Sequence, residues 1–273
     1  MRNSLKGTLV LVGAGKMGGA MLEGWLKSGI RPGQVVALDP APPAETLALL
    51  LKHHIRHNPA VATIKDAEVV LIAVKPQIME DVLPGVASLK ASRPLVISVA
   101  AGKTIAAFSR HFGEDAAIIR SIPNTPAAVG RGITAIAANR HVSEAQLALA
   151  SALLSAIGEV VTVPDETFID AATAVSGSGP AYVFYLTECL AAAGVSAGLP
   201  QDVAIKLARA TVAGAGELMR ATGQPAETLR QNVTSPKGTT HAALQVLMAD
   251  DGLDPLMRKA VDAATRRSRE LAS

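Results

Sequence analysis

Seven short runs of aliphatic and β-branched residues recur over the first 163 positions, at 8–12, 35–39, 68–74, 95–100, 117–121, 133–137 and 159–163. Helical patterns separate them, at 17–28, 43–52, 77–89, 104–112 and 143–157. Each run is predominantly apolar, as a strand is when both faces of its sheet are covered. Strands alternating with helices specify βαβ units, and the right-handed crossover rule then predicts a doubly wound parallel sheet. From residue 165 the strand pattern stops. Helical segments follow at 165–174, 180–197, 200–221, 225–233, 238–250 and 254–271, and Pro200, Pro225, Pro236 and Pro255 stand near helix starts. The expected organisation is an α/β domain over 1–164 and an all-α domain over 165–273, divided near Pro164.

Composition narrows what such a chain can do. Hydrophobic residues are 49% of the sequence but aromatics only 3%, so the core is built from Ala, Val, Leu and Ile. The net charge is +3, with both signs interspersed. That balance, with few aromatics to stack on bases, argues against a nucleic-acid partner. The basic run in the last helix reads as a solvated face. Cys189 is the only cysteine, so no intrachain disulfide is possible; a reducing, cytoplasmic setting and a small buried thiol are expected. The apolar run at the N-terminus is shorter than the ~7–15 residues of a signal peptide. The longest apolar stretch, "GPAYVFYLTECLAAAGVSAGL", contains Glu188 and several glycines, so it reads as a buried helix and not a membrane span. A helix apolar on nearly all sides must be covered on all sides. Either the first domain and neighbouring helices cover it or a second copy does; the small size of the helical domain favours a homodimer or larger homo-oligomer.

The first strand runs directly into "GAGKMGG", where Gly13, Gly15 and Gly18 fit G-x-G-x-x-G. Its place between a strand and a helix at the start of a βαβ unit supports a dinucleotide site, and hence a Rossmann-type domain. Gly13 permits the tight turn. Gly15 lets a pyrophosphate approach the backbone, and Gly18 lets the helix pack on the strand. Ala14, Lys16 and Met17 complete the loop around the helix N-terminus, which favours the anion. Asp39 ends the second strand about 20 residues beyond Gly18, the place of an acid that binds the ribose 2′-hydroxyl of NAD. A carboxylate there repels the 2′-phosphate of NADP, and no Lys or Arg follows in "APPAET". On these residues alone NADH is favoured.

Six stretches together carry a family resemblance: "VGAGKMGGAM" (12–21), "AVKPQ" (73–77), "VISVAAG" (96–102), "IPNTPA" (122–127), "VSGSGPAYVF" (175–184) and "VTSPKGTT" (233–240). In this order and spacing the chain resembles pyrroline-5-carboxylate reductases over essentially its whole length. The resemblance implies NAD(P)H-dependent reduction of Δ1-pyrroline-5-carboxylate to L-proline, the last step of proline biosynthesis. It also implies a helical C-terminal domain that dimerises, and an active site lying between the domains. Relatives commonly use NADPH, whereas Asp39 points to NADH, so either cofactor stays open here. Relatives also carry "SPGG" where this chain has "SPKG", leaving the role of Lys237 open.

By the same resemblance Val74, Lys75 and Pro76, with Ala100, Ala101 and Gly102, border the ribose and nicotinamide, and Asn124 lies near the nicotinamide. Ser176, Gly238, Thr239 and Thr240 are expected to bind substrate, the last three as a cradle for its carboxylate. Thr240, Ser178 and Lys75 are the candidate catalytic residues. Ser176 and Ser178 are also expected to cap the apolar helix. No histidine stands near either serine, which excludes a hydrolase triad. "HHIRH" (53–57) lacks a nearby acid or cysteine and reads as a surface helix end, so no metal site is expected. Related dehydrogenases of hydroxy acids want a lysine in the stretch 180–197, which has none.

Overall fold

A computed structural model describes residues 5–272. Residues 1–4 and 273, which include the basic start of the N-terminal stretch and the outer limits of both expected domains, lie outside the described residues. The backbone forms two compact units, one running through Gly177 and resuming at Ala264, the other spanning Ser178–Ala263. The division expected near Pro164 therefore falls inside the first unit, and the end of the last helix belongs to that unit as well.

The first unit is an eight-stranded sheet in the order β3-β2-β1-β4-β5-β6-β7-β8. Its strands are β1 (Thr8–Val12), β2 (Val35–Leu38), β3 (Arg56–His57), β4 (Ala67–Ile72), β5 (Leu95–Ser98), β6 (Ile118–Pro123), β7 (Gly132–Ala138) and β8 (Gly158–Thr162). All neighbouring pairs are parallel except β6–β7. The expected doubly wound parallel sheet is present, with one antiparallel pair added to it. The β6–β7 connection is one 3₁₀ turn, Thr125–Val129, closed by Gly130 in the left-handed region. A parallel crossover needs about a dozen residues or more, so this link can only reverse the chain. The two-residue strand β3 is too short to leave a sequence signal.

The apolar runs are explained by burial on both faces. Leu9 and Leu11 of β1 pack into one core with Trp25 and Leu153, while Val10 and Val12 pack into the other with Val70 and Phe108. Helix α1 (Lys16–Lys27) carries Trp25, the only tryptophan of the chain, whose indole N–H donates to the Leu153 carbonyl of α5 (Glu144–Leu154) at 2.8 Å. The remaining helices of this part are α2 (Ala44–Lys52), α3 (Met79–Val86) and α4 (Ile105–Phe112). The helix expected over 77–89 is shorter because Pro84 lies inside α3 and cannot donate to the preceding turn; the chain continues as a 3₁₀ segment from Ala87.

After β8 the expected single helix at 165–174 is three pieces: a 3₁₀ turn at Glu166–Phe168, α6 (Ile169–Ala172) and a π turn at Thr173–Gly177. One arginine organises this region. Arg120 of β6 is 3% exposed; its Nη1 lies 3.0 Å from Glu166 Oε1 and its Nη2 3.6 Å from Asp170 Oδ1. Glu166 Oε1 also accepts the Ile105 N–H at the start of α4, and Asp170 Oδ1 accepts the Ser268 hydroxyl of α11 (Leu253–Ala272) at 2.7 Å.

The second unit is helical: α7 (Gly179–Ser196), α8 (Gln201–Thr222), α9 (Ala226–Asn232), α10 (Thr239–Leu247) and the first part of α11. Helices α7 and α8 form a hairpin in which Gly194 approaches Ala204. Within the chain α7 has no buried residue; Phe184 is 62% exposed, and Val183, Leu186 and Leu190 are also exposed. Cys189 is exposed too, correcting the expectation of a thiol buried within the chain. No helix among the described residues is long and apolar enough to cross a membrane.

Truncating Arg120 leaves two carboxylates facing each other without their cation. Arg120→Ala is expected to destabilise the first unit by about 3–5 kcal/mol, the cost of breaking a buried pair. Urea titration followed by Trp25 fluorescence checks it.

Candidate dinucleotide and substrate sites

The carboxyl ends of β1, β2, β4, β5 and β6 share one edge of the sheet, and the strand order reverses between β1 and β4. Ligands of open α/β sheets bind at such a switch point. The glycine loop sits there, and its three glycines meet three different constraints. Gly13 has φ +90°, and a Cβ on it would lie 2.8 Å from the Ala73 carbonyl carbon and from Val74 Cγ1. The loop after β4 therefore abuts the loop after β1. A Cβ on Gly18 would stand 2.2 Å from the Gly13 oxygen, so only glycine lets α1 approach this closely. At Gly15 a Cβ would meet no atom within 4 Å. It would project into open space in front of the helix N-terminus. Gly15 is the N-cap of α1 and supplies no side-chain cap, so the first-turn amides, beginning with Lys16 and Met17, face outward toward an anion. The loop thus fits a dinucleotide pyrophosphate.

Asp39 is tied into this loop. Its Oδ2 accepts the Ala14 N–H at 2.6 Å and its Oδ1 the Ala41 N–H at 2.9 Å. Asn58 brackets the same residue, donating from Nδ2 to the Asp39 carbonyl at 2.8 Å and accepting the Asp39 N–H, while His57 Nε2 lies 2.9 Å from that carbonyl. His57 is thus a neighbour of the acid on the adjacent strand. Nothing in the local sequence signalled this bracket.

Along the same edge, Lys75 is exposed between β4 and a 3₁₀ turn that begins at Pro76. After β5, Ala100 is buried, Ala101 is exposed, and Gly102 has φ +70°. Lys103 Nζ lies 3.3 Å from Glu80 Oε1 and fastens this loop to α3; that hydrogen bond and the lysine charge hold the Glu80 carboxyl below its ordinary range. Asn124 follows β6. Its side chain is spent inside the fold, with Oδ1 accepting the Ile133 N–H at 2.9 Å and Nδ2 donating to the Ser176 carbonyl at 3.1 Å.

The serines do not cap as expected. The Ser176 hydroxyl donates back to the Ala172 carbonyl at 2.8 Å within the π turn, and Ser178 is the N-cap of α7 without a side-chain cap bond. The π register displaces both from the positions a plain helix start would give them.

In the second unit, "SPKG" is a tight turn in which the Gly238 N–H donates to the Ser235 carbonyl at 3.0 Å. Proline is its second residue, and Lys237, its third, has φ +60°. This is the type II arrangement, which asks for glycine at the third place. Pro236 thus stands near the helix start, in the turn just before it. Helix α10 then starts at Thr239, with Gly238 as an N-cap that has no side-chain cap, so Gly238, Thr239 and Thr240 stand together at an open helix N-terminus.

A dinucleotide loop at the switch point of a doubly wound sheet, joined to a helical unit, defines an NAD(P)-dependent oxidoreductase of the Rossmann type. The family described as "NADP oxidoreductase coenzyme F420-dependent" matches residues 8–102, and that described as "Pyrroline-5-carboxylate reductase dimerisation" matches residues 166–271. The pyrroline-5-carboxylate reductase of Pseudomonas aeruginosa is 38% identical over 269 residues, covering 97% of this chain and 96% of its own. That of a Synechocystis strain is 51% identical over 205 residues, 75% of each chain. A solved pyrroline-5-carboxylate reductase from Coxiella burnetii superposes with a TM-score of 0.91 at 33% identity, covering 98% of this chain and 100% of that one. The chain belongs to the pyrroline-5-carboxylate reductase family.

Two substitutions separate the glycine constraints. Gly15→Ala is expected to keep its thermal midpoint within about 2 °C while weakening dinucleotide binding about tenfold or more. Gly18→Ala should lose stability first; calorimetry and fluorescence titration with the dinucleotide distinguish the two. Lys237→Gly should stabilise by up to about 1 kcal/mol, since a left-handed non-glycine residue costs about 1–2 kcal/mol and glycine returns part of that as unfolded-state entropy. Chemical denaturation checks this.

Proposed function

We propose that this chain reduces Δ1-pyrroline-5-carboxylate to L-proline as a homodimer or larger homo-oligomer, with NADH as the preferred reductant. The observation that carries the reading is 38% identity to a pyrroline-5-carboxylate reductase across 97% of the chain, with the glycine loop intact. The exposed apolar residues of α7, in the segment matched by the dimerisation family, support a second copy as their cover. A single cysteine is consistent with a cytoplasmic setting.

Bound reduced nicotinamide supplies the hydride that converts the C=N carbon to an amine carbon. The protein's part is binding, orientation and electrostatics. The substrate imine is electrophilic once protonated, so no strong side-chain acid is demanded. The open N–H groups at the start of α10 and the Thr240 hydroxyl bind the substrate carboxylate, and Lys237 adds positive charge to the turn before them. Ser176 and Ser178 complete the substrate contacts. The Ser178 hydroxyl, not committed to capping, hydrogen-bonds the ring nitrogen. Lys75, at the exposed edge after β4, holds a ribose hydroxyl or a carboxylate, and the loop 100–102 borders the nicotinamide.

The cofactor preference rests on Asp39. Its carboxylate stands at the end of β2 and is fixed there by two backbone N–H groups. A 2′-phosphate would have to approach this charge, whereas a 2′-hydroxyl can donate to it. A relative from Plasmodium falciparum, 28% identical, was solved with NADP bound, so the other cofactor can be accommodated by this fold. Removing Asp39 also takes the acceptor from Ala14, so Asp39→Ser weakens both cofactors; the ratio of their kcat/KM values isolates specificity. That ratio should move toward NADPH by about 10–100-fold, the worth of a charge-assisted hydrogen bond and relieved repulsion. A wild-type enzyme that prefers NADPH would show that the carboxylate does not govern the choice.

Turnover is measured by loss of nicotinamide absorbance with pyrroline-5-carboxylate; no oxidation of either cofactor at high enzyme concentration rejects the reading. Thr240→Ala should raise the substrate KM about tenfold with a smaller change in kcat, as expected for loss of a hydrogen bond to a charged group. Steady-state kinetics at saturating cofactor decides it.

A further inference from the structure

The resemblance puts Asn124 near the nicotinamide, yet its surroundings give it another task. Asn124 is 9% exposed, and its amide bridges two backbone groups, the Ile133 N–H and the Ser176 carbonyl. The second of these has a cause written in the sequence. In an α-helix the Ser176 carbonyl would accept from the residue four further on, and that residue is Pro180, which has no N–H. The next amide along, Ala181, donates instead to Ser178 at 3.0 Å. Asn124 Nδ2 therefore supplies the donor that Pro180 withholds, at the point where the π turn Thr173–Gly177 hands over to α7. Upstream, Arg120 of β6, the strand that leads into Asn124, fixes the same segment through Glu166 and Asp170.

We propose that Asn124 is a positioning residue for the substrate side of the site, holding the π turn in register so that Ser176 and Ser178 are presented correctly. The role rests on reading these serines as substrate-binding. Losing one residue of register would turn every later side chain by about 100°, because a helix has 3.6 residues per turn. A partly buried carbonyl left without its donor favours such a slip, since a desolvated polar group without a partner is costly.

The test uses the full-length enzyme and three variants. Asn124→Asp keeps the acceptor for Ile133 and loses the donor for Ser176. It should raise the KM for pyrroline-5-carboxylate about tenfold, leaving the cofactor KM within about twofold. Pro180→Ala returns an N–H to position 180. In the Asn124→Asp background it should recover about threefold or more of the loss, a non-additivity expected of groups sharing one partner. Asn124→Ala should resemble Asn124→Asp with a further loss of stability. A cofactor KM that rises as much as the substrate KM, an unchanged substrate KM, or no recovery with Pro180→Ala overturns the proposal. Wild-type turnover tests the function separately. Whatever the substrate, hydrogen exchange of the amides from 173 to 178 should speed up in Asn124→Asp and slow again with Pro180→Ala; unaltered exchange also overturns it.

Discussion

One guanidinium holds together parts of the chain that are far apart in sequence. Arg120 lies in a strand buried on both sides, where an unpaired cation would be intolerable. Glu166 and Asp170 answer it, and each carboxylate is also spent elsewhere, on the first turn of α4 and on Ser268 of α11. The chain leaves the first unit after Gly177 and returns at Ala264. Asp170 stands shortly before the departure and Ser268 shortly after the return, joined by one 2.7 Å hydrogen bond. The cluster thereby fixes both passages of the backbone on the sheet side.

Local chemistry was legible in the sequence and distant chemistry was not. The glycine loop could be read because its three glycines fall within six residues, and two of them, Gly13 and Gly18, exclude a side chain for a steric reason. Asp39 could be placed because strand and helix lengths fix its distance from the loop. Its bond to Ala14 could not, since that depends on how β1 and β2 are staggered. Arg120 gave no signal at all: it is a lone charge in an apolar strand, and its partners come 46 and 50 residues later. The antiparallel return of β7 was hidden because a strand's residues do not record its direction; only the short link after Asn124 does.

The serines show a subtler limit. Ser176 and Ser178 precede a proline and a helix, the usual pattern of caps. The structure uses neither hydroxyl that way, because the helical path already begins upstream at α6 and passes through a π turn. Pro180 does not start the helical path here. It interrupts the hydrogen-bond pattern of a path already under way, and the interruption is repaired by the Asn124 side chain from the loop after β6. The glycine that the family resemblance implies at position 237 becomes intelligible in the same manner: the turn, not the helix after it, requires positive φ, and this chain meets the requirement with a lysine.

The burial of Trp25 has a practical consequence. The chain has one tryptophan, sealed in the first unit on the helix that rises from the glycine loop, and two tyrosines, Tyr182 and Tyr185, both on α7 in the second. Indole emission therefore reports on the nucleotide-binding half alone, while phenol absorbance reports on the helical half. Indole emission also overlaps the absorption of reduced nicotinamide, so a bound cofactor should quench Trp25 by energy transfer. The protein carries a built-in spectral separation of its two halves, and folding, cofactor binding and subunit association can be followed in one sample without a label.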